Sequence, residues 1–159
     1  MTLSTVGVMD HLVDTNVLLR SVQRRSPSYR QARNAVLTLL RREERLCVFP
    51  QNLVEFWSVA TRPAQSNGLG LSLPQAEWYV SRLESVFTLI NDTPDIYREW
   101  HNLVRTHGIA GVHVHDARLV AAMNVHSITS ILTFDVDDFK RYPGIRVLHP
   151  QDVTPVRLA

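Results

Sequence analysis

Four acids, Asp14, Glu55, Asp116 and Asp135, each fall where a hydrophobic segment ends or a helix starts. Acids in such positions can meet at one edge of a sheet. Two full charges about 4 Å apart repel by roughly 4 kcal/mol at an effective dielectric near 20. Carboxylates converging on one pocket therefore destabilise a fold or hold protons unless a cation joins them. Bound Mg²⁺ or Mn²⁺ reverses the sign of that interaction, and such a cation can activate water and stabilise charge on a scissile phosphate. Hydrolysis of a phosphodiester is the chemistry this set of residues suits.

The elements that must position the acids can be read in order. His11 to Val13 predicts a short strand, after which Thr15 and Asn16 offer caps for a helix starting near Val17. Pro27 breaks that helix, and Ala32, Ala35, Val36, Leu39 and Leu40 keep helical spacing through a second one over 29–44. Leu46 to Phe49 is the next predicted strand. Pro50 fits a first helical turn, and Leu53, Val54, Trp57 and Ala60 carry an apolar stripe to a helix end near Arg62 and Pro63. Residues 64–71, with Gly68 and Gly70, form the clearest loop, and Ser72 followed by Gln75 has the pattern of a capping box opening a helix to about Glu84. A strand over 86–90, a helix opening at Asp92 to Pro94 and stopping at Gly108, a helix over 116–123, and strands over 130–134 and 145–148 complete the series. Residues 111–115 suit neither helix nor strand better. The alternation argues for an α/β sandwich with a mainly parallel sheet. In such sheets ligands bind beyond the carboxyl ends of the strands, which is where Asp14, Glu55 and Asp135 fall, with Asp116 opening the helix before the last of these strands.

With 159 residues, 45% of them apolar, the chain suits one domain, 1–159, able to bury a proper core. Residues 1–8 carry no structural pattern and read as an N-terminal extension, with Met9 an alternative start. No apolar run approaches the roughly 18 residues needed to span a bilayer, and the N-terminus lacks the basic start and apolar block of a signal peptide, so the expected location is cytoplasmic, with no membrane partner. The single cysteine, Cys47, excludes an internal disulfide and reads as a buried small hydrophobe. The net charge of +2 identifies no partner. The basic residues are sixteen arginines and one lysine, Lys140; arginine's fork suits phosphate and stacks on bases, and codon bias in a GC-rich genome gives the same skew.

Structural roles compete at each position. Asp14 also suits a helix cap, Asp116 an N-terminal helix acid, Glu55 a solvated helix residue and Asp135 an Asx turn. Arg62 follows Glu55 by seven residues, two helical turns, and suits either a phosphate contact on the same side or a helix-end ion pair. The arginines of 20–45 suit RNA attraction or a solvated helix face. His113, His115 and Asp116 have a usable zinc spacing that no cysteine or further close histidine completes, leaving a loop or core-edge role as the expectation. Trp57, Trp78 and Trp100 occupy helical positions where packing is the default.

The stretch Leu12-Val13-Asp14-Thr15-Asn16-Val17-Leu18-Leu19 resembles the opening motif of PIN-domain ribonucleases. Residues 50–57, Pro-Gln-Asn-Leu-Val-Glu-Phe-Trp, continuing to Pro63, are similar to the segment that carries that family's glutamate. Residues 115–122 and 132–139 resemble its third and fourth acidic motifs, in order and spacing across about residues 9 to 150. The VapC toxins of bacterial toxin–antitoxin pairs are the subgroup most similar in appearance. The resemblance implies a three-layer α/β/α sandwich, Mg²⁺ or Mn²⁺ bound by Asp14, Asp116 and Asp135, and Glu55 as a further ligand or water-positioning base. It also implies supporting roles for Asn16 and Thr133, endonucleolytic hydrolysis of RNA, a homodimer, and a cognate antitoxin. Asp137 and Asp138 compete with Asp135 for the fourth position; Asp135 follows the strand directly, while Asp138 before Phe139 suits the next helix. Two other readings stand beside this one. A phosphatase of the haloacid dehalogenase type would use Asp14 as nucleophile, but needs a lysine before the later acids, whereas Lys140 follows them. A non-catalytic RNA- or protein-binding module of the same fold would not require all four acids.

Overall fold

Strand side chains alternate with a period of two between two separate cores, and this alternation sets the layers. In β1 (Asp10–Val13) Leu12 faces one core and Val13 the other; Cys47 and its neighbours Leu46 and Val48 divide in the same way in β2 (Arg45–Val48), as do Ile131 and Leu132 in β4 (Ser130–Leu132). With β3 (Thr88–Leu89) and β5 (Arg146–Leu148) these form one parallel sheet in the order β3-β2-β1-β4-β5. Leu12 lies level with Cys47 on one side and Ile131 on the other. The computed structural model describes residues 7–155. Of the expected N-terminal extension, residues 1–6 lie outside the described residues, and 7–8 have no regular structure.

Four helices cover one face: α1 (Thr15–Val22), α2 (Tyr29–Arg41), α3 (Pro50–Thr61) and α4 (Leu73–Val86). The other face is covered by α5 (Asp95–His107) and α6 (His113–Val125), with Phe139 of the short helix α7 (Val136–Phe139) closing that core. The expected three-layer sandwich is the one that forms, and its strands are all parallel. Cys47 is buried and free, as expected. Among the described residues no helix is long and apolar enough to cross a membrane.

Several boundaries move for identifiable reasons. Helix α2 stops at Arg41 rather than Glu44 because Glu43 is left-handed (φ 59°), which lets Glu44 Oε2 accept a 2.9 Å hydrogen bond from His11 Nε2 on buried β1. The capping box at Ser72 and Gln75 opens α4 as expected, with Gln75 Oε1 accepting from the Ser72 N–H at 2.9 Å. That helix runs on to Val86 and leaves only two residues for β3 where a strand over 86–90 was predicted. Gly108 takes the left-handed cap after α5. Helix α6 begins at His113, three residues before the predicted start, once Gly111 has turned the chain at φ 63°.

The apolar stripe of α3 is also rotated from its expected phase. Asn52, Phe56 and Ala60 face inward, while Val54 is 68% exposed. A buried asparagine is what the apolar pattern could not register: Asn52 Oδ1 accepts the Phe49 N–H at 2.8 Å, and Asn52 Nδ2 donates to Thr15 Oγ1 at 3.2 Å. The loop after α3 folds back on the helix end, where Gly70 N–H donates to the Arg62 carbonyl at 2.8 Å and Leu71 N–H to Ala60 at 2.9 Å. A Cβ on Gly68 would sit 2.0 Å from the Arg62 carbonyl oxygen, a backbone atom with no rotamer to yield. Gly68→Ala is therefore expected to destabilise the fold by about 1–3 kcal/mol, read as a lower urea midpoint; an unchanged midpoint would mean the turn opens freely.

Candidate active site and metal centre

The chain reverses its direction of winding at β1, which has β2 on one side and β4 on the other. Crevices of this kind, beyond the carboxyl ends of parallel strands, are where such sheets bind ligands. Asp14 leaves β1 there and caps α1, its Oδ1 accepting the Thr15 N–H at 2.8 Å. Thr133 leaves β4 beside it and donates its hydroxyl to Asp14 Oδ2 at 2.7 Å. Thr133 Oγ1 in turn accepts from Asn16 Nδ2 (3.2 Å) and from the Asp135 N–H (3.0 Å). Asn16 has a single orientation, because its Oδ1 accepts the Phe134 N–H at 3.2 Å and its Nδ2 also donates to Asp135 Oδ2 at 3.1 Å. The helix cap uses Oδ1 of Asp14 and the Thr133 bond Oδ2, so the two sequence readings of that residue are compatible.

Glu55 reaches the same pocket from the second turn of α3. Thr15 Oγ1 donates to Glu55 Oε2 and Gln51 Nε2 donates to Oε1, both at 2.9 Å. Asp116 comes from the first turn of α6. Asp14 is only 6% exposed, and burial, opposed by the hydrogen bonds from Thr133 and Thr15 and reinforced by the charges of Asp116 and Glu55, raises its pKa from 3.8 to about 7. Burial does the same to Asp116, with Asp138, Glu55 and Asp135 adding repulsion against the opposing effect of His113, and its pKa rises to about 6. Asp14, Glu55, Asp116 and Asp135 therefore lie close enough for their charges to be felt at Asp116 or Asp14, although they come from four separate parts of the sequence.

The structure separates the three acids of the last motif. Asp137 points outward, 95% exposed, and pairs with Lys140 Nζ at 3.3 Å. Asp135 is held by Asn16, and Asp138, in the first turn of α7, faces Asp116. His113 lies one turn before Asp116, with Nδ1 3.8 Å from Asp116 Oδ2. One ligating atom from each of His113, Asp116 and Asp138 lies within 4.8 Å of the others. The sequence reading placed His113 in a loop or at the core edge and left Asp138 as a competitor of Asp135 for the fourth acidic position, so what is new is their meeting around Asp116; the visible signal was the three-residue spacing of His113 and Asp116, which needs a helix to act. The donor set of carboxylate oxygens with one imidazole fits a hard or borderline divalent cation, and such a cation would favour the ionised forms of Asp14 and Asp116, which burial first and neighbouring carboxylates second disfavour.

Among the described residues Arg62 makes no ion pair with the acids. It caps the far end of α3, about 10 Å along the axis from Glu55, and its carbonyl is used by the following loop. Lys140, the single lysine, is on the surface with Asp137, so no lysine serves Asp14 in the manner the phosphatase reading requires. Trp78 departs from the packing expectation: it is 58% exposed, with the Arg82 guanidinium 5.5 Å from its ring centre. It lines a groove with Arg24, Arg33, Tyr29 and Tyr79, next to a larger one of about 700 Å³ whose wall includes Arg20, Arg24 and Arg25.

Residues 11–145 match the PIN domain, and the chain belongs to that family. No curated protein sequence matches it. Among solved structures it is similar to VapBC2 from Rickettsia felis, bound to a fragment of its promoter DNA, at 15% identity over 89% of this chain and 98% of that one (TM-score 0.65). It is similar to a toxin–antitoxin complex from Klebsiella pneumoniae at 21% identity, covering 92% and 99% of the two chains (TM-score 0.62). It is also similar to VapC20 of Mycobacterium tuberculosis, a toxin that cleaves the sarcin–ricin loop, at 20% identity over 80% and 91% (TM-score 0.59). At these identities the similarity establishes a shared fold across nearly the whole of both chains.

Proposed function

We propose that the protein is a divalent-metal-dependent endoribonuclease, the toxin of a toxin–antitoxin pair acting as a homodimer. The observation that carries this reading is that Asp14 and Asp135 are joined through Thr133 and Asn16 at the β1/β4 crevice, that Thr15 bonds Glu55 beside them, and that the charge of Asp116 is felt at Asp14 while those of Glu55 and Asp135 are felt at Asp116. Membership of the PIN family, and a structural neighbour that cleaves RNA, support the same assignment. Neighbours solved as toxin–antitoxin complexes support a protein antitoxin as partner.

Asp14, Asp116 and Asp135 would hold Mg²⁺ or Mn²⁺, with His113 and Asp138 as additional donors around Asp116. When bound, the cation activates the attacking water and offsets charge on the scissile phosphate. The chain's own residues do the positioning. Thr133 and Asn16 fix Asp14 and Asp135 in the rotamers that address the crevice. Glu55 receives one hydrogen bond on each oxygen, which leaves lone pairs on both to orient a water and take its proton. Arg20, Arg24, Arg25 and Arg82, in the grooves beyond α1, supply the positive field that draws a polyanion towards an acidic pocket.

The test is cleavage of total bacterial RNA by purified protein with Mg²⁺ or Mn²⁺, with EDTA, and with Asp116→Asn, mapping new ends. Discrete metal-dependent cuts absent from the variant are expected. Folded, metal-bound and antitoxin-free protein that leaves all RNA intact would favour the binding-module reading instead. The arginine field has its own signature: in Asp116→Asn protein, adding Arg24→Ser and Arg82→Ser is expected to flatten the dependence of log affinity on log salt by roughly 0.7 per arginine for single-stranded RNA. An unchanged slope would remove these arginines from the RNA path.

A further inference from the structure

Glu55 lies one turn inside α3, and the place of its carboxylate depends on a side-chain rotamer on that helix. That rotamer is set by a chain of bonds reaching α3 from α6. Gln51, one turn before Glu55, donates its amide nitrogen both to Glu55 Oε1 and to the His115 carbonyl of α6, each at 2.9 Å. Arg118, also on α6, donates Nη1 to Gln51 Oε1 at 3.0 Å, and its Nη2 lies 3.5 Å from Asp92 Oδ1. Arginine has donors only, so its bond identifies the amide oxygen of Gln51 and forces the amide nitrogen towards Glu55. A glutamine alone could present either end. Asp92 and Arg118 remove that choice.

We propose that Gln51, oriented by Arg118, is a positioning residue that fixes the Glu55 carboxylate relative to the Asp116 helix. The reach of this relay matches its task, because Glu55 arrives with α3 and Asp116 with α6, helices on opposite faces of the sheet. The bonds from Gln51 to both Glu55 and the His115 backbone tie the two acids into one frame. Thr15, on α1, holds the remaining oxygen of Glu55. The inference rests on the nuclease reading for its kinetic arm, while its metal-binding arm stands apart from it.

Gln51→Met keeps the length of the side chain and deletes the bonds. It is expected to lower kcat for RNA cleavage and to weaken Mn²⁺ binding in calorimetry, each by about tenfold or more, as for other partners of metal-site ligands, with KM for RNA within twofold of wild type. Arg118→Met is expected to produce a smaller loss of the same kind, the double variant to be no worse than Gln51→Met, and Arg118→Lys to recover most of the loss, since one N–H suffices to orient the amide. A role confined to joining the helices predicts a lower melting temperature with kcat and Mn²⁺ affinity unchanged, and that result overturns the proposal. Fully additive losses in the double variant overturn the relay through Gln51. Wild type that binds Mn²⁺ without cutting RNA defeats the nuclease reading alone, and the calorimetry then decides the positioning role; wild type that binds no Mn²⁺ defeats both.

Discussion

Asp116→Asn is expected to lower RNA cleavage by roughly 10³-fold and, in the same protein, to raise the melting temperature measured in EDTA at pH 8. The two effects share one cause. Asp116 is surrounded by Asp138, Glu55 and Asp135, and its charge also reaches Asp14. Among the described residues its one ion-pair partner is the His113 imidazole, at 3.8 Å, which is charged only when protonated. Removing the charge without changing the shape deletes a proposed metal ligand and also relieves the burial cost and the self-repulsion that the metal-free fold must bear. With the side chain 30% exposed, solvent screening holds the gain to on the order of 1–2 kcal/mol. Calorimetry on the two proteins with and without Mn²⁺ measures it. A variant less stable than wild type in EDTA would show that Asp116 serves the fold rather than opposing it.

Metal-free wild type should lose stability as pH rises, the reverse of the usual behaviour of paired carboxylates. Asp14 ionises near 3.8 in the unfolded chain and near 7 in the folded one, chiefly because it is buried. Below pH 3.8 both states hold the proton and the group contributes nothing. Between 3.8 and 7 the folded state keeps a proton that the unfolded chain has released, so stability falls by about 1.4 kcal/mol per pH unit. Above 7 the loss levels off, at about 4 kcal/mol for Asp14 alone. Asp116 adds to it in the same direction between 3.8 and about 6. Saturating Mn²⁺ should abolish the decline, because cation binding favours the ionised acids in the folded state only. The check is a pair of melting curves at pH 5 and pH 8, in EDTA and in Mn²⁺. A metal-free protein equally stable at both pH values would mean that water reaches Asp14 far more freely than its surroundings indicate.

Much of this site was legible before the structure because strand ends in a parallel sheet share an edge. Asp14 and Asp135 needed only the strands before them to be found, and Glu55 and Asp116 only the helices that carry them. The α/β sandwich with a mainly parallel sheet followed from the alternation of helices and short strands, and its three layers from the family resemblance; the facing of Leu12 and Val13 into opposite cores came only with the structure. What was not legible depends on angles that periodicity does not carry. A three-residue error in the start of α6 concealed His113 as a neighbour of Asp116. The buried Asn52 rotated the inward stripe of α3 away from Val54, since hydrogen bonding rather than hydropathy decides which side of that helix faces the core. Trp78 looked like core and is at the surface, where the Arg82 guanidinium rather than the sheet lies over its ring. Gln51 and Arg118 are 67 positions apart, and nothing in either segment announces the other.

The hydroxyl of Thr133 on Asp14 joins residues 119 positions apart, across two strands that are neighbours only once β4 has been laid beside β1. A polypeptide emerging from the ribosome therefore carries Asp14 for most of its synthesis without the last pair of acids or the threonine that orients it. The site is assembled with completion of the sheet rather than growing with chain length. The same holds in reverse for a protease: a single cut between α6 and β4 that releases the C-terminal segment would take Thr133 and Asp135 out of the crevice while leaving the Asp14, Glu55 and Asp116 segments covalently intact.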